Sequence, residues 1–152
     1  MARILAKHPG LNGRSIFVVE DDCVTAMDLA ETLTAAGARI VGPATTIRTA
    51  LELLQHRPQV DIALLDLEIE GDFVFGVADQ LVASGVPIVF MTGYERSELP
   101  PRFRTVPHCE KPITIGAVAR TLDDELAQHA QRALRPRTPP PTAKESSDRT
   151  SG

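Results

Sequence analysis

Four apolar runs in this chain each end on a polar residue. Ile16-Phe17-Val18-Val19 leads into Glu20-Asp21-Asp22, and Ile62-Ala63-Leu64-Leu65 leads into Asp66. Val86-Pro87-Ile88-Val89-Phe90-Met91 is followed by Thr92, and Val106-Pro107-His108-Cys109-Glu110 by Lys111-Pro112. Short runs that are apolar throughout read as strands covered on both faces, the condition of a parallel sheet. Ligands of an open parallel sheet bind in the crevice outside the carboxyl ends of its strands. Four strands thus bring carboxylates, a hydroxyl and an ammonium to one edge, a set suited to a hard, oxygen-ligated cation.

Between these runs the apolar spacing turns helical. Five β–α units follow: a strand at 15–20 and a helix at 23–36 with Ala26, Leu29, Ala30 and Leu33 on one face, then a short strand at 39–42. Thr45 or Thr46 is placed to cap a second helix carrying Ile47, Ala50, Leu51 and Leu54. The strand at 61–66 is followed by a loop broken at Gly71, and by a helix at 73–84 with Val77, Ala78, Leu81 and Val82 inward. The strand at 87–91 leads to a Pro-rich segment, 94–104, expected to be irregular or to hold at most one helical turn. A last helix after Pro112 lines up Ile115, Val118, Ala119, Leu122 and Leu126. Alternating strands and helices predict an α/β fold with a doubly wound, five-stranded parallel sheet.

The 152 residues, 43% of them hydrophobic, are enough for one domain with a sizeable core. We expect an N-terminal extension at 1–12, a domain at 13–130 and a disordered Pro-rich tail at 131–152. No second domain, secretory signal or membrane span is read in the chain. Arg132, Arg135, Arg137, Lys144 and Arg149 stand against Glu145 and Asp148 in the tail, giving +3 and leaving −7 on the rest. An acidic body is a poor partner for a nucleic-acid backbone. Cys23 and Cys109 lack metal-ligand spacing and are expected as buried, reduced thiols of a cytoplasmic protein.

In order and placement, the acidic cluster, Asp66, Thr92 and Lys111-Pro112 resemble the receiver domain of two-component response regulators over about residues 13–130. The resemblance implies the flavodoxin-like receiver fold and the chemistry of a phosphoprotein. Asp66 would be the phosphoacceptor, with Thr92 and Lys111 binding the phosphoryl oxygens. Mg²⁺ would be held by Asp21 and Asp66, by Glu20 through water, and by the backbone carbonyl of Glu68. Asp22 more simply starts the first helix. The donor would be a histidine kinase or a histidine phosphotransfer protein. Output would be a protein contact or the withdrawal of phosphoryl groups from a shared kinase. Val86 to Tyr94, Val77-Ala78-Asp79 and Leu99 to Arg104 are similar to a narrower group, the alphaproteobacterial stand-alone receivers with a Phe-Ala-Thr-Gly-Tyr motif, Met91 taking the Ala place.

One departure bears on output. The resembling family places Tyr or Phe three residues before the lysine as a rotameric switch, and here that residue is His108. The expected output surface is therefore the Tyr94–Arg104 segment with the adjoining face of the last helix, and Tyr94 and Phe103 are its named residues. Two rivals stay in view. One is a haloacid-dehalogenase-like phosphatase, loosely imitated by Asp66-x-Glu68, with Asp123-Asp124-Glu125 as the only later acidic group. The other is an interaction module on the same fold that works without phosphorylation.

Overall fold

The computed structural model describes residues 8–135. Its strands and helices alternate in the order β1 (Ser15–Val19), α1 (Cys23–Ala35), β2 (Arg39–Ala44), α2 (Ile47–Gln55) and β3 (Ile62–Asp66). There follow β4 (Glu68–Ile69), β5 (Asp72–Phe73), α3 (Phe75–Ala83), β6 (Ile88–Thr92), β7 (His108–Glu110) and α4 (Ile115–Leu134). Five strands form one parallel sheet in the order β2-β1-β3-β6-β7. This is the expected doubly wound α/β architecture. No described helix is long and apolar enough to cross a membrane.

Although the strands are apolar throughout, alternate residues serve different layers. Ile16, Val18, Ile62, Leu64, Val89 and Met91 face a core closed by Leu29 and Leu33 of α1 and by Val118, Leu122 and Leu126 of α4. Phe17, Val19, Ala63, Leu65, Ile88 and Phe90 face the other side, against Val77, Ala78 and Leu81 of α3 and Ala50 of α2. Every residue of β1, β3 and β6 is buried. Each large side chain taken out of water contributes roughly 1.5–3 kcal/mol.

The helix starts follow from local chemistry. Asp22 caps α1 by accepting from the Thr25 N–H at 3.1 Å, Thr46 caps α2 through Thr49 N at 3.0 Å, and Thr114 caps α4 through Ala117 N at 3.3 Å.

Of the two cysteines expected to be buried, Cys109 is and Cys23, at the start of α1, is exposed. Three boundaries also differ from the expectation. The domain reaches back before residue 13, because Pro9–Leu11 forms a 3-10 turn packed on α4 and Leu11 is fully buried. It also passes residue 130, since α4 continues to Leu134 and Arg132 pairs with the buried Glu125 at 2.6 Å. The rest of the expected tail, 136–152, lies outside the described residues. The loop after β3 is also more ordered than a break at Gly71 implies. There, β4 and β5 pair as a hairpin whose turn, Glu70-Gly71, is left-handed at both residues (φ 52° and 86°).

The segment joining β6 to β7 holds two 3-10 turns, Arg96–Glu98 and Pro101–Phe103, one more than expected. Adjacent prolines remove backbone donors and hold Leu99 extended, so no α-helix can run through them. Side chains replace the missing helical bonds. Arg96 donates to the carbonyls of Arg104 and Val106, and Arg104 donates to the carbonyl of Leu99. Arg102 makes a two-point pair with Asp79 of α3 at 2.9 and 3.0 Å, and lies over the Phe103 ring. The two motifs Val77-Ala78-Asp79 and Leu99 to Arg104 are therefore one structural unit.

Phe103, expected as an output residue, is only 2% exposed and packs against Phe75 and Phe90 at 5.2 and 5.4 Å. It is an anchor beneath the surface. Phe103→Ala should lower the unfolding free energy by about 3–5 kcal/mol in a denaturant titration. A loss below about 1 kcal/mol would show that the segment is not held by this ring.

Candidate phosphoacceptor and metal site

Parallel register puts the carboxyl ends of β1, β3, β6 and β7 side by side. Asp66, the last residue of β3, is paired with Met91, one residue before Thr92, and the Lys111 N–H donates to the carbonyl of Thr92 at 3.0 Å. Glu20 follows β1 directly, and its backbone N–H is held by the Ala44 carbonyl at 2.9 Å. Carboxylate oxygens of Glu20, Asp21 and Asp66 all lie within 4.8 Å of one another. Glu20 and Asp66 are each 2% exposed. Two buried carboxylates this close repel, and the arrangement calls for cations.

Lys111 is the cation present. Its Nζ is 2.9 Å from Asp66 Oδ2. Partial burial alone would lower the lysine pKa, but the Asp66 hydrogen bond and the charges of Asp66, Glu20 and Asp21 raise it above its ordinary value. One ammonium does not balance three carboxylates. Burial, with the Asp66 charge beside it, pushes Glu20 up to about 7, even though the Asp22 N–H donates to it at 3.0 Å. A clustered, all-oxygen, net negative donor set fits a divalent hard cation such as Mg²⁺.

Backbone donors aim each of the site's oxygens. Glu68 N–H donates to Asp66 Oδ1 at 3.3 Å, Glu70 N–H to Asp21 Oδ2 at 2.7 Å, and Tyr94 N–H to Thr92 Oγ1 at 2.9 Å. With its acceptor side engaged, the buried Thr92 hydroxyl is left to donate its own proton. The Tyr94 hydroxyl donates to the Glu68 carboxylate, which raises the phenol pKa and joins the two residues across the mouth of the site.

Glu70 and Phe73 did not stand out in the chain, although both shape this region. The signal was Ile69-Glu70-Gly71-Asp72-Phe73, a two-residue hairpin turn hidden by a glutamate where asparagine or aspartate is usual. Phe73 stacks on Phe75 at 5.0 Å and meets Tyr94 at 5.9 Å. Tyr94 therefore faces the hairpin, while α4 shares pockets with Thr105–Pro107, just past the segment.

His108 is not drawn into the pocket. It sits in β7 opposite Phe90, with Nδ1 buried and without a partner. Burial and the nearby Arg96 hold its pKa below the ordinary value, with a smaller opposing effect from Glu110. The ring is neutral there. The acids after Lys111 are occupied elsewhere: Asp123 faces His8 at 3.8 Å, and Glu125 pairs with Arg132. Among the described residues, none of the acids after Lys111 that the phosphatase rival needs joins the carboxylates around Asp66.

No protein-family model matches the chain. Among curated proteins it is 30% identical over 108 residues to the transcriptional regulatory protein PdtaR of Mycobacterium tuberculosis (strain CDC 1551 / Oshkosh), covering 68% of this chain and 52% of that one. The chain thus spans about half the length of the curated relatives it matches. It is 33% identical to SdrG from Sphingomonas melonis Fr1, with a TM-score of 0.64, covering 76% of this chain and 97% of SdrG. A BeF3-activated conformation of SdrG matches with a TM-score of 0.61 at 34% identity, over 74% of this chain and 95% of that one. The response regulator PhyR from Brucella abortus shares the fold, with a TM-score of 0.67 at 20% identity over 88% of this chain and 57% of PhyR. Sheet order, converging acids and these likenesses agree: the chain belongs to the response regulator receiver family, phosphoacceptor signalling proteins rather than classical enzymes.

Proposed function

We propose that Asp66 accepts a phosphoryl group from a phosphohistidine of a histidine kinase or phosphotransfer protein, in a Mg²⁺-dependent reaction in the cytoplasm. The observation that carries this is the meeting of Glu20, Asp21 and Asp66 oxygens within 4.8 Å, with Lys111 2.9 Å from Asp66. Asp21, Asp66 and the Glu68 carbonyl would hold Mg²⁺, Glu20 acting through water. The metal supplies charge neutralisation on the transferring oxygens. An Asp66 oxygen forms the new bond to phosphorus as the bond to the histidine nitrogen breaks, and the imidazole leaves with that electron pair. Lys111 then shifts its ammonium from the carboxylate to a phosphoryl oxygen, while Thr92 donates its proton to another. A relative that adopts a BeF3-activated conformation supports the reading, beryllofluoride being a phosphoryl mimic. Output is a protein contact or removal of phosphoryl groups from a shared kinase. The receiver module is residues 9–134, Pro9 through the end of α4.

Three outcomes test this. With a phosphohistidine donor and Mg²⁺, wild-type protein should take up label and Asp66→Asn should not; normal labelling of the variant would overturn the assignment and favour the phosphorylation-independent module.

The raised pKa of Glu20 means that its carboxyl is neutral below about 7 and charged above it. Mg²⁺ affinity should therefore strengthen as pH rises through about 7, and Glu20→Gln should lose that step, as read by NMR shifts in a Mg²⁺ titration. The folded state also holds this proton more tightly than the unfolded chain. Metal-free stability should accordingly fall as pH rises from the ordinary carboxylate range through about 7.

Tyr94 and Glu68 together obstruct the line along which water would reach the phosphoryl group. Loss of label should be slow in the wild type and severalfold faster in Tyr94→Ala. Equal decay rates would show that the ring does not guard the site.

A further inference from the structure

We propose that the groove between the β4–β5 hairpin and the Tyr94–Arg104 segment docks a basic segment of a partner protein through an apolar anchor. The groove encloses about 480 Å³, and its walls include Phe73, Phe75, Tyr94, Leu99, Pro100 and Pro101. Phe73 is 46% exposed and Tyr94 37% exposed, so two rings of a continuous aromatic stack face solvent. They are already ordered. Phe73 lies parallel to Phe75 within 7°, Phe75 rests on the buried Phe103, and the Tyr94 hydroxyl is held by Glu68. An apolar side chain entering here would meet rigid walls, with little ordering entropy lost on the receiver's side.

The occupant's charge follows from the rim. Glu70 and Asp72 project from the hairpin, Glu95 and Glu98 border the other side, and all four are exposed. The cations nearby are exposed, and Arg104 itself lines the groove, but each is engaged. Arg96 and Arg104 are turned to backbone carbonyls, and Arg102 to Asp79. Four exposed rim carboxylates stand against two arginines without an acidic partner, Arg96 and Arg104, so the rim stays net negative, attracts lysine and arginine and disfavours an acidic partner. An aliphatic or aromatic anchor flanked by basic residues is the matching chemistry. This surface does not depend on the acceptor reaction, and it lies apart from α4.

The test is selection from a random peptide display library on the immobilised full-length chain, followed by calorimetry on the recovered peptides. Recovered sequences should pair an aromatic or aliphatic residue with lysines and arginines. Phe73→Ser should weaken them by roughly tenfold or more. The charge reversal of Glu70→Lys with Asp72→Lys, at exposed positions, should weaken them similarly and remove the salt dependence. Val82→Ser, at an exposed apolar residue near the other end of α3, should leave binding unchanged. The proposal is overturned if nothing is recovered, if the recovered peptides are acidic or show no charge preference, or if binding survives both groove variants. Equal weakening by Val82→Ser would overturn it as well.

Discussion

Asp66 carries a carboxylate to a position that is 2% exposed, and the ammonium of Lys111 meets it at 2.9 Å. An ionised carboxylate left alone at that depth would cost several kcal/mol, so the cation has to be supplied by the fold. The supply is topological. Lys111 follows β7, and β7 reaches Asp66 only because β6 lies between them with Thr92 bonded to the Lys111 backbone. The sheet order, the burial of both cores and the aim of the four strand ends all serve this one electrostatic requirement. Even then Lys111 is outnumbered, and burial together with the neighbouring Asp66 charge raises the pKa of Glu20. The domain holds an electrostatic imbalance that a divalent cation would relieve.

The sheet and the convergence of Glu20, Asp21, Asp66, Thr92 and Lys111 were legible from the chain for a simple reason. In a parallel sheet the residue after an apolar run must emerge at the carboxyl edge, whatever the details of packing. Asp22 as a cap was legible too, and the α2 cap was narrowed to Thr45 or Thr46, of which Thr46 is the cap, since capping depends on neighbours three residues away. What the sequence concealed was set by tertiary contact. Leu11 looks like part of a polar leader until α4 is there to cover it. Phe103 looks like a surface aromatic among prolines and charges, yet it is buried by Phe75 and Phe90, residues far from it in the chain. The Glu70-Gly71 turn was missed because glutamate seldom takes a positive φ, and here the Asp21 carboxylate rewards that conformation with a hydrogen bond to its N–H.

The segment between β6 and β7 shows how a chain compensates for an absent helix. A helix satisfies its own carbonyls, whereas an irregular segment leaves them exposed. Here two arginines bond carbonyls across the segment, a third clamps it to α3, and Leu99 and Phe103 fill the space beneath. The result is a scaffold with fixed shape but no regular backbone. In β7, beside this scaffold, burial and Arg96 hold the His108 pKa below its ordinary value.

Tyr94 has one more consequence. It is the only tyrosine of the chain, and there is no tryptophan. The tyrosine emission of this chain therefore comes from a single phenol, one whose hydroxyl donates to the Glu68 carboxylate. A carboxylate acceptor quenches phenol emission by drawing off the excited-state proton. The domain thus carries its own optical gauge at the mouth of the acceptor pocket. Its emission should rise when Glu68 and Tyr94 are parted.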